Sequence, residues 1–224
     1  MLAPTLCDSL AAYLTDTANY TEIAGTLVGI LYLYWEYRAD DKLWLAGIVM
    51  PAISLAVYWQ SGLYADFGIN VYYLLAAVYG LYAWRRSNRQ TFEGSPKHDA
   101  CPTDRQPAHA QGLPITHCTL RQTLLCIALS ALCFVVIGLV LVRFTNSDVP
   151  WWDAFTTALS IVGMWMLARK WLEQWLAWIA VDAVSSGLYV YKGIYFYAAL
   201  YGVYTIVAIF GYYAWKRLMI GSQK

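Results

Sequence analysis

Apolar runs close to the thickness of a bilayer recur along this chain, and short polar or charged stretches separate them. A helix rising 1.5 Å per residue needs about 20 mostly apolar residues to cross the hydrocarbon layer. The pattern predicts spans at residues 23–37, 43–59, 67–84, 123–142, 155–167, 175–191 and 195–215, of which the first and fifth are short. The expected fold class is an all-α polytopic membrane protein with seven transmembrane helices.

Composition agrees with the pattern. Of 224 residues, 60% are hydrophobic and 13% are charged, against about 25% charged in a soluble domain. The net charge of +1 offers no global field for nucleic acid or an acidic partner. The principal environment expected is the lipid bilayer. Residues 1–21 carry Asp8 and Asp16 but no Lys or Arg, so no secretory signal is expected there. Leu6, Leu10, Tyr13, Leu14 and Thr17 fall near one helical face, which suits either a short interfacial helix or a frayed terminus.

The basic residues sort by side. Those between spans one and two, three and four, five and six, and after span seven account for 13 of the 15 Lys and Arg. Only Arg143 and Lys192 fall on the other side. The positive-inside rule then predicts an N-terminus outside and a cytoplasmic C-terminus.

The chain also repeats itself. Ser61-Gly62-Leu63-Tyr64 recurs as Ser186-Gly187-Leu188-Tyr189, and Gly80-Leu81-Tyr82-Ala83-Trp84-Arg85-Arg86 recurs as Gly211-Tyr212-Tyr213-Ala214-Trp215-Lys216-Arg217. The two landmarks are 19 residues apart in the first copy and 25 in the second. Equivalent helices are four spans apart and so run the same way through the membrane. The reading is a parallel 3+1+3 duplication: an outer segment 1–21, a first repeat 22–86, a flexible linker 87–121, a connector helix 122–143, a second repeat 151–217 and a tail 218–224. A substrate path is expected between such halves.

Candidate chemistry concentrates in the sixth span. Asp182 is the acid placed clearly inside a span, and an intramembrane carboxylate costs roughly 3 kcal/mol on insertion scales, so it marks function by default. Its alternative role is a structural bond to a neighbouring helix. Trp175, Trp178, Asp182, Ser185 and Tyr189 share one helical face. Two indoles beside a carboxylate suit a ligand with a flat ring and hydroxyls, while an interfacial aromatic belt explains the indoles equally well. Lys192, in the outer turn, would either close the mouth, with Asp66 as a possible ion partner, or anchor a helix end. Asn70 and Tyr73 of span three and Tyr197 and Tyr201 of span seven supply further polar groups.

His98, His109 and His117, near Cys101 and Cys118, match no metal-ligand spacing, so no metal is expected. The five cysteines form no CxxC pair, and Cys126 and Cys133 read as small packing residues. Phosphate-loop and GxSxG motifs are absent, and no His falls within a span; neither an enzyme nor a cofactor is expected.

The residues carry a family pattern. Trp175-x2-Trp178-x3-Asp182, Gly187-Leu188-Tyr189-x2-Lys192-Gly193, Leu200-Tyr201 and Gly211-x3-Trp215 resemble the PnuC family of nicotinamide riboside transporters. So do Glu22, Gly62-Leu63-Tyr64-x-Asp66 and Gly80-x-Tyr82-x-Trp84 in the first copy, and the resemblance spans about residues 20–217. It implies a fold like that of the SWEET sugar transporters, a homotrimer in the bacterial inner membrane, and facilitated diffusion of nicotinamide riboside. Uptake would be pulled by a cytoplasmic nicotinamide riboside kinase. Trp175 and Trp178 match the family's substrate-binding WxxW signature. Related members carry thiamin or riboflavin, so the fold is better specified than the ligand; a carrier of another flat-ring vitamin or of a sugar is the alternative reading, and a membrane sensor or enzyme is the third.

Overall fold

The computed structural model describes residues 17–60, 64–93, 113–145 and 147–221. Within them run seven helices: α1 (Thr17–Tyr37), α2 (Leu43–Gln60), α3 (Tyr64–Glu93), α4 (Leu120–Phe144), α5 (Pro150–Ala168), α6 (Gln174–Tyr191) and α7 (Tyr195–Gly221). One helix covers each expected span. By length and composition, Phe67–Ser87, α4 and α7 are long and apolar enough to cross a membrane, and Leu43–Ala56 is a shorter apolar stretch. Leucines, isoleucines and phenylalanines such as Ile53, Leu125, Leu132 and Phe210 face outward, while Glu36, Gln174, Asp182, Ser160 and Ser185 are buried. This inversion of a soluble protein suits lipid outside and polar groups paired within.

Local chemistry sets the helix ends. Thr119 caps α4: Gln122 N–H donates to Thr119 Oγ1 at 3.4 Å, and Thr119 N–H donates to Gln122 Oε1 at 2.8 Å. α5 is longer than the span 155–167 because Pro150 can open it without losing a helical hydrogen bond, and Asp153 lies in its first turn near the positive end of the dipole. The turns after α1 and α5 both pass through the left-handed region, at Ala39 (φ 52°) and Lys170 (φ 53°).

α1 packs against α2 and α7, α3 against α2 and α5, and α6 against α5 and α7, whereas α4 touches α5 alone. At the centre lie two matching wedges. Trp44 of α2 meets Trp84 of α3 edge to face at 5.4 Å, and Trp175 of α6 meets Trp215 of α7 edge to face at 5.7 Å. All four indoles are buried. Each wedge fits because a glycine faces it: a Cβ at Gly80 would come within 2.4 Å of the Trp44 ring, and one at Gly211 within 2.5 Å of Trp175. The same separation of 131 residues relates Trp44 to Trp175, Gly80 to Gly211, Trp84 to Trp215 and Ala39 to Lys170.

That constant separation corrects one landmark of the repeat. Tyr64 opens α3, with 61–63 outside the described residues, whereas Ser186–Tyr189 lie inside α6. The two Ser-Gly-Leu-Tyr strings therefore occupy different places. The position matching Asp182 is Pro51, a buried proline inside α2.

The wedges also tie distant helices together. Trp84 Nε1 donates to the Ala168 carbonyl at the end of α5 at 3.2 Å, and Trp215 Nε1 donates to the Glu36 carbonyl near the end of α1 at 2.9 Å. The Ala168 carbonyl, in the last turn of its helix, gains its donor from the indole, and the Glu36 carbonyl accepts from Trp215 in addition to Ala39 N–H at 3.0 Å.

The linker 87–121 is more structured than its composition suggests. Residues 87–93 extend α3, and 113–119 dock on the α5–α6 turn. Thr116 N–H donates to the Lys170 carbonyl at 3.2 Å and Leu172 N–H to the Thr116 carbonyl at 2.9 Å, while Leu113 and Ile115 pack on the core. His117 Nδ1 lies 2.7 Å from Glu173, which also accepts from Cys118 N–H at 2.9 Å. Burial pushes the Glu173 carboxyl up, but the His117 and Cys118 hydrogen bonds together hold it below the usual range. Cys118, Cys126 and Cys133 are free thiols, and among the described residues no cluster is arranged to hold a metal. Residues 1–16 and 94–112, with His98, Cys101 and His109, lie outside the described residues.

Lys170 is buried with its Nζ 4.0 Å from the centre of the Trp84 ring. Burial lowers its ammonium to about 8, against the opposing pull of Asp41 and Asp40.

Two measurements test this core. Gly80→Ala and Gly211→Ala should each destabilise the detergent-solubilised protein by about 1–3 kcal/mol through overpacking. Gly68→Ala, where a Cβ meets nothing within 4 Å, should not lower the unfolding temperature, since alanine is the better helix former. Equal losses at all three sites would refute the wedge account. For Lys170, the penalty of burying charge is full below pH 8 and relieved as pH rises toward the free-lysine value of about 10.4. The stability of wild type relative to Lys170→Met should therefore increase from pH 8 to pH 10 in thermal unfolding, and a flat difference would sink the assignment.

Candidate functional site

The apolar periodicity of α6 turns one face inward, and that face carries Gln174, Asp182 and Ser185, all buried, with Trp178 half-buried. Trp175 is wholly buried in the wedge against Trp215 and Gly211, so its ring faces are occupied by packing. Trp178 lies over Gly163 of α5, where a Cβ would stand 3.8 Å from the indole. Its Nε1 is buried without a protein partner, as are Trp175 Nε1, both amide atoms of Gln174 and Oε1 of Glu36.

Helix α7 contributes a stack of tyrosines. Tyr189 of α6 packs against Tyr197 at 5.6 Å and Tyr201 at 5.2 Å, and Tyr201 meets Tyr204 at 5.6 Å. Tyr201 and Tyr204 lie within electrostatic reach of Asp182. A Cβ built on Gly29 of α1 would be 3.0 Å from the Tyr204 hydroxyl, so α1 and α7 approach closely there.

On the other side, Tyr73 of α3 lies beside Ser160 of α5, whose Oγ donates to the Thr156 carbonyl at 2.8 Å. The neighbouring Tyr72 hydroxyl donates to the Ile161 carbonyl at 2.6 Å. Asn70, one turn from Tyr73, is half-buried and partnered. Tyr32 of α1 lies within reach of both Tyr73 and Glu36. Polar groups of α1, α3, α5, α6 and α7 thus converge on one interior region.

Two expected residues lie apart. Lys192, at the end of α6, pairs with Asp153 of α5 at 3.8 Å, and Asp153 accepts from Ser147 Oγ at 2.6 Å. This half-exposed ion pair fastens the α6–α7 turn to the start of α5. Asp66 sits in the first turn of α3, and its side chain lies outside the described residues.

The sequence reading missed Glu36, Tyr32 and Gln174. Glu36 lies inside the span 23–37, so Asp182 is not the lone intramembrane acid. Its signal was present: Gly29, Tyr32 and Glu36 share one face of a helix. Glu36 lies two residues from the charged Arg38, at the edge of its span. Gln174 was hidden in the same way, one residue before the expected start of its span.

A cavity of about 200 Å³ lies elsewhere, between α4 and α5, lined by Ser130, Ala131, Phe134, Phe155, Ala158 and Leu159. Its almost wholly apolar walls offer no recognition chemistry, so the polar interior is the better candidate.

A bundle with a lipid-compatible exterior, a polar interior and aromatic faces is the build of a multi-pass membrane carrier. The chain matches the family described as nicotinamide mononucleotide transporter over residues 19–217. It belongs to that family of membrane transporters.

It is 24% identical to the nicotinamide riboside transporter PnuC of Escherichia coli (strain K12), over 92% of this chain and 87% of that one. It is 22% identical to the riboflavin/roseoflavin transporter RibM of Streptomyces davaonensis, over 88% of this chain and 84% of that one. The crystal structure of the vitamin B3 transporter PnuC superposes with a TM-score of 0.66 at 19% identity, covering 95% of this chain and 87% of that one. The likeness in fold therefore extends over nearly the whole chain.

Proposed function

We propose that this protein carries nicotinamide riboside across a bacterial inner membrane by facilitated diffusion. The supporting observation is the inward face of α6, where Asp182 lies within electrostatic reach of Tyr201 and Tyr204 of α7 and shares its face with Trp178 and Ser185. An indole face can hold the nicotinamide ring, while carboxylate and hydroxyl groups hold the ribose. Asn70, Tyr73, Tyr189, Tyr197 and Tyr201 complete the proposed site, Lys192 and Asp66 stand at its outer end, and Trp175 supports Trp178 from the core. The relative from Escherichia coli, a nicotinamide riboside transporter, favours this substrate. Every arginine whose burial is described is exposed, so none of them faces the interior region, which favours a nucleoside over its phosphate.

The proposed architecture is 3+1+3 and SWEET-like: repeats at 22–86 and 151–217, with 122–143 as the connector. The matching Trp–Gly wedges and the paired α3–α5 and α1–α7 contacts support it. Alternating access would come from movement of these halves about the central region. The N-terminus is placed outside and the C-terminus inside, a homotrimer is the proposed assembly, and a cytoplasmic nicotinamide riboside kinase would make uptake net inward. RibM supports a second reading, a carrier of another flat-ring vitamin such as riboflavin or thiamin.

Calorimetry on the purified protein separates the readings: nicotinamide riboside should bind, and binding of thiamin or riboflavin alone would replace the substrate. Trp178→Ala should weaken nicotinamide riboside at least about tenfold, the loss expected for a stacked ring, with the fold retained. Trp175→Ala should instead cost about 3–5 kcal/mol of stability as a core truncation. Proteoliposomes should take up labelled riboside without an accompanying pH change. Binding without flux would favour a sensor, and substrate-driven proton movement would exclude simple facilitated diffusion.

A further inference from the structure

Glu36 and Asp182 are the buried acids among the described residues, at 1% and 8% exposure. They come from α1 and α6, and they lie within electrostatic reach of one another. The nearby bases are engaged elsewhere. Arg38 donates to the Tyr34 hydroxyl at 2.8 Å on the exposed surface, Lys170 sits over Trp84, Arg169 donates to the Tyr79 hydroxyl at 3.4 Å, and Lys192 pairs with Asp153. Glu36 Oε1 is buried without a well-aligned hydrogen bond, and Gln174, a neutral amide, is the side chain that approaches Glu36 within hydrogen-bonding reach.

A buried carboxylate without a counter-charge is costly, and a second carboxylate nearby raises that cost. The described residues supply hydrogen-bonding groups around Glu36 but no positive charge. Tyr32, one turn away on the same face of α1, adds an aromatic wall. We infer that Glu36 is a specificity-determining residue of this interior: with Asp182 it selects a flat ring bearing a fixed positive charge over the same ring uncharged. The inference rests on the proposed reading that the interior is the substrate site. Because the two acids belong to helices that approach from different sides of the bundle, a cation between them would also draw α1 toward α6.

Nicotinamide riboside and its reduced, dihydro form differ by one hydride and hence by the ring charge, so calorimetry with both on the full-length protein reads charge recognition directly. Wild type should prefer the cation by at least about tenfold. Glu36→Gln should lose most of that preference, with cation binding weakened more than binding of the dihydro form and no fall in unfolding temperature, and Glu36→Asp should restore it. Equal binding of the two forms by wild type, or an undiminished preference in Glu36→Gln, would overturn the inference. The wild-type ratio and Glu36→Asp carry the test if Glu36→Gln does not fold. A wild type that binds no nicotinamide riboside refutes the substrate reading alone, and thiamin against uncharged thiochrome then reads the same ratio. Preference for an uncharged ring such as riboflavin overturns the inference itself.

Discussion

Two indole hydrogen bonds to backbone carbonyls at helix ends, made inside an apolar environment, tie this architecture together. Trp215 of α7 reaches the Glu36 carbonyl, and Trp84 of α3 reaches that of Ala168. Each indole can make its bond because its neighbour, Trp175 or Trp44, is wedged against a glycine that admits the ring. In lipid, where apolar burial gives little drive for helix association, close packing and hydrogen bonds of this kind hold helices together. Two glycines thereby decide where α1 and α5 end relative to α7 and α3.

The same contacts place the polar interior. Fixing the end of α1 against α7 brings Glu36 to Gln174, while the Trp175 wedge sets the rotation of α6 and turns Asp182, Ser185 and Trp178 inward. The two tryptophans of one short motif thus divide the work: Trp175 packs the core and Trp178 faces the polar region. The α5–α6 turn receives 113–119 through the Thr116 bridge and the Glu173 bonds, so the segment leading into α4 is coupled to the start of α6.

Pattern reading located each helix because apolar length is a property of a single segment. It also found the repeated Gly–Trp string, since local packing needs preserve small and large residues at fixed spacing. It misjudged places where a partner elsewhere in the chain decides the outcome. Ser-Gly-Leu-Tyr recurs as a string, yet one copy opens a helix and the other lies within one. Lys192 pairs with Asp153 of α5, a contact across 39 residues that packing decides. Residues 113–119 are polar enough to read as loose, but their backbone groups meet an open edge at Lys170 and Leu172.

The sequence by itself determined the seven helices, their lipid-facing exterior and the carboxylate-bearing face of α6, because hydropathy and helical period act within each segment. Only the tertiary structure decided that Trp175 belongs to the core, that Pro51 stands where Asp182 would in the other half, and that Glu36 is interior. Those outcomes depend on the rotation and end-to-end register of packed helices. Register is set by contacts between residues far apart in the chain, which no single segment encodes.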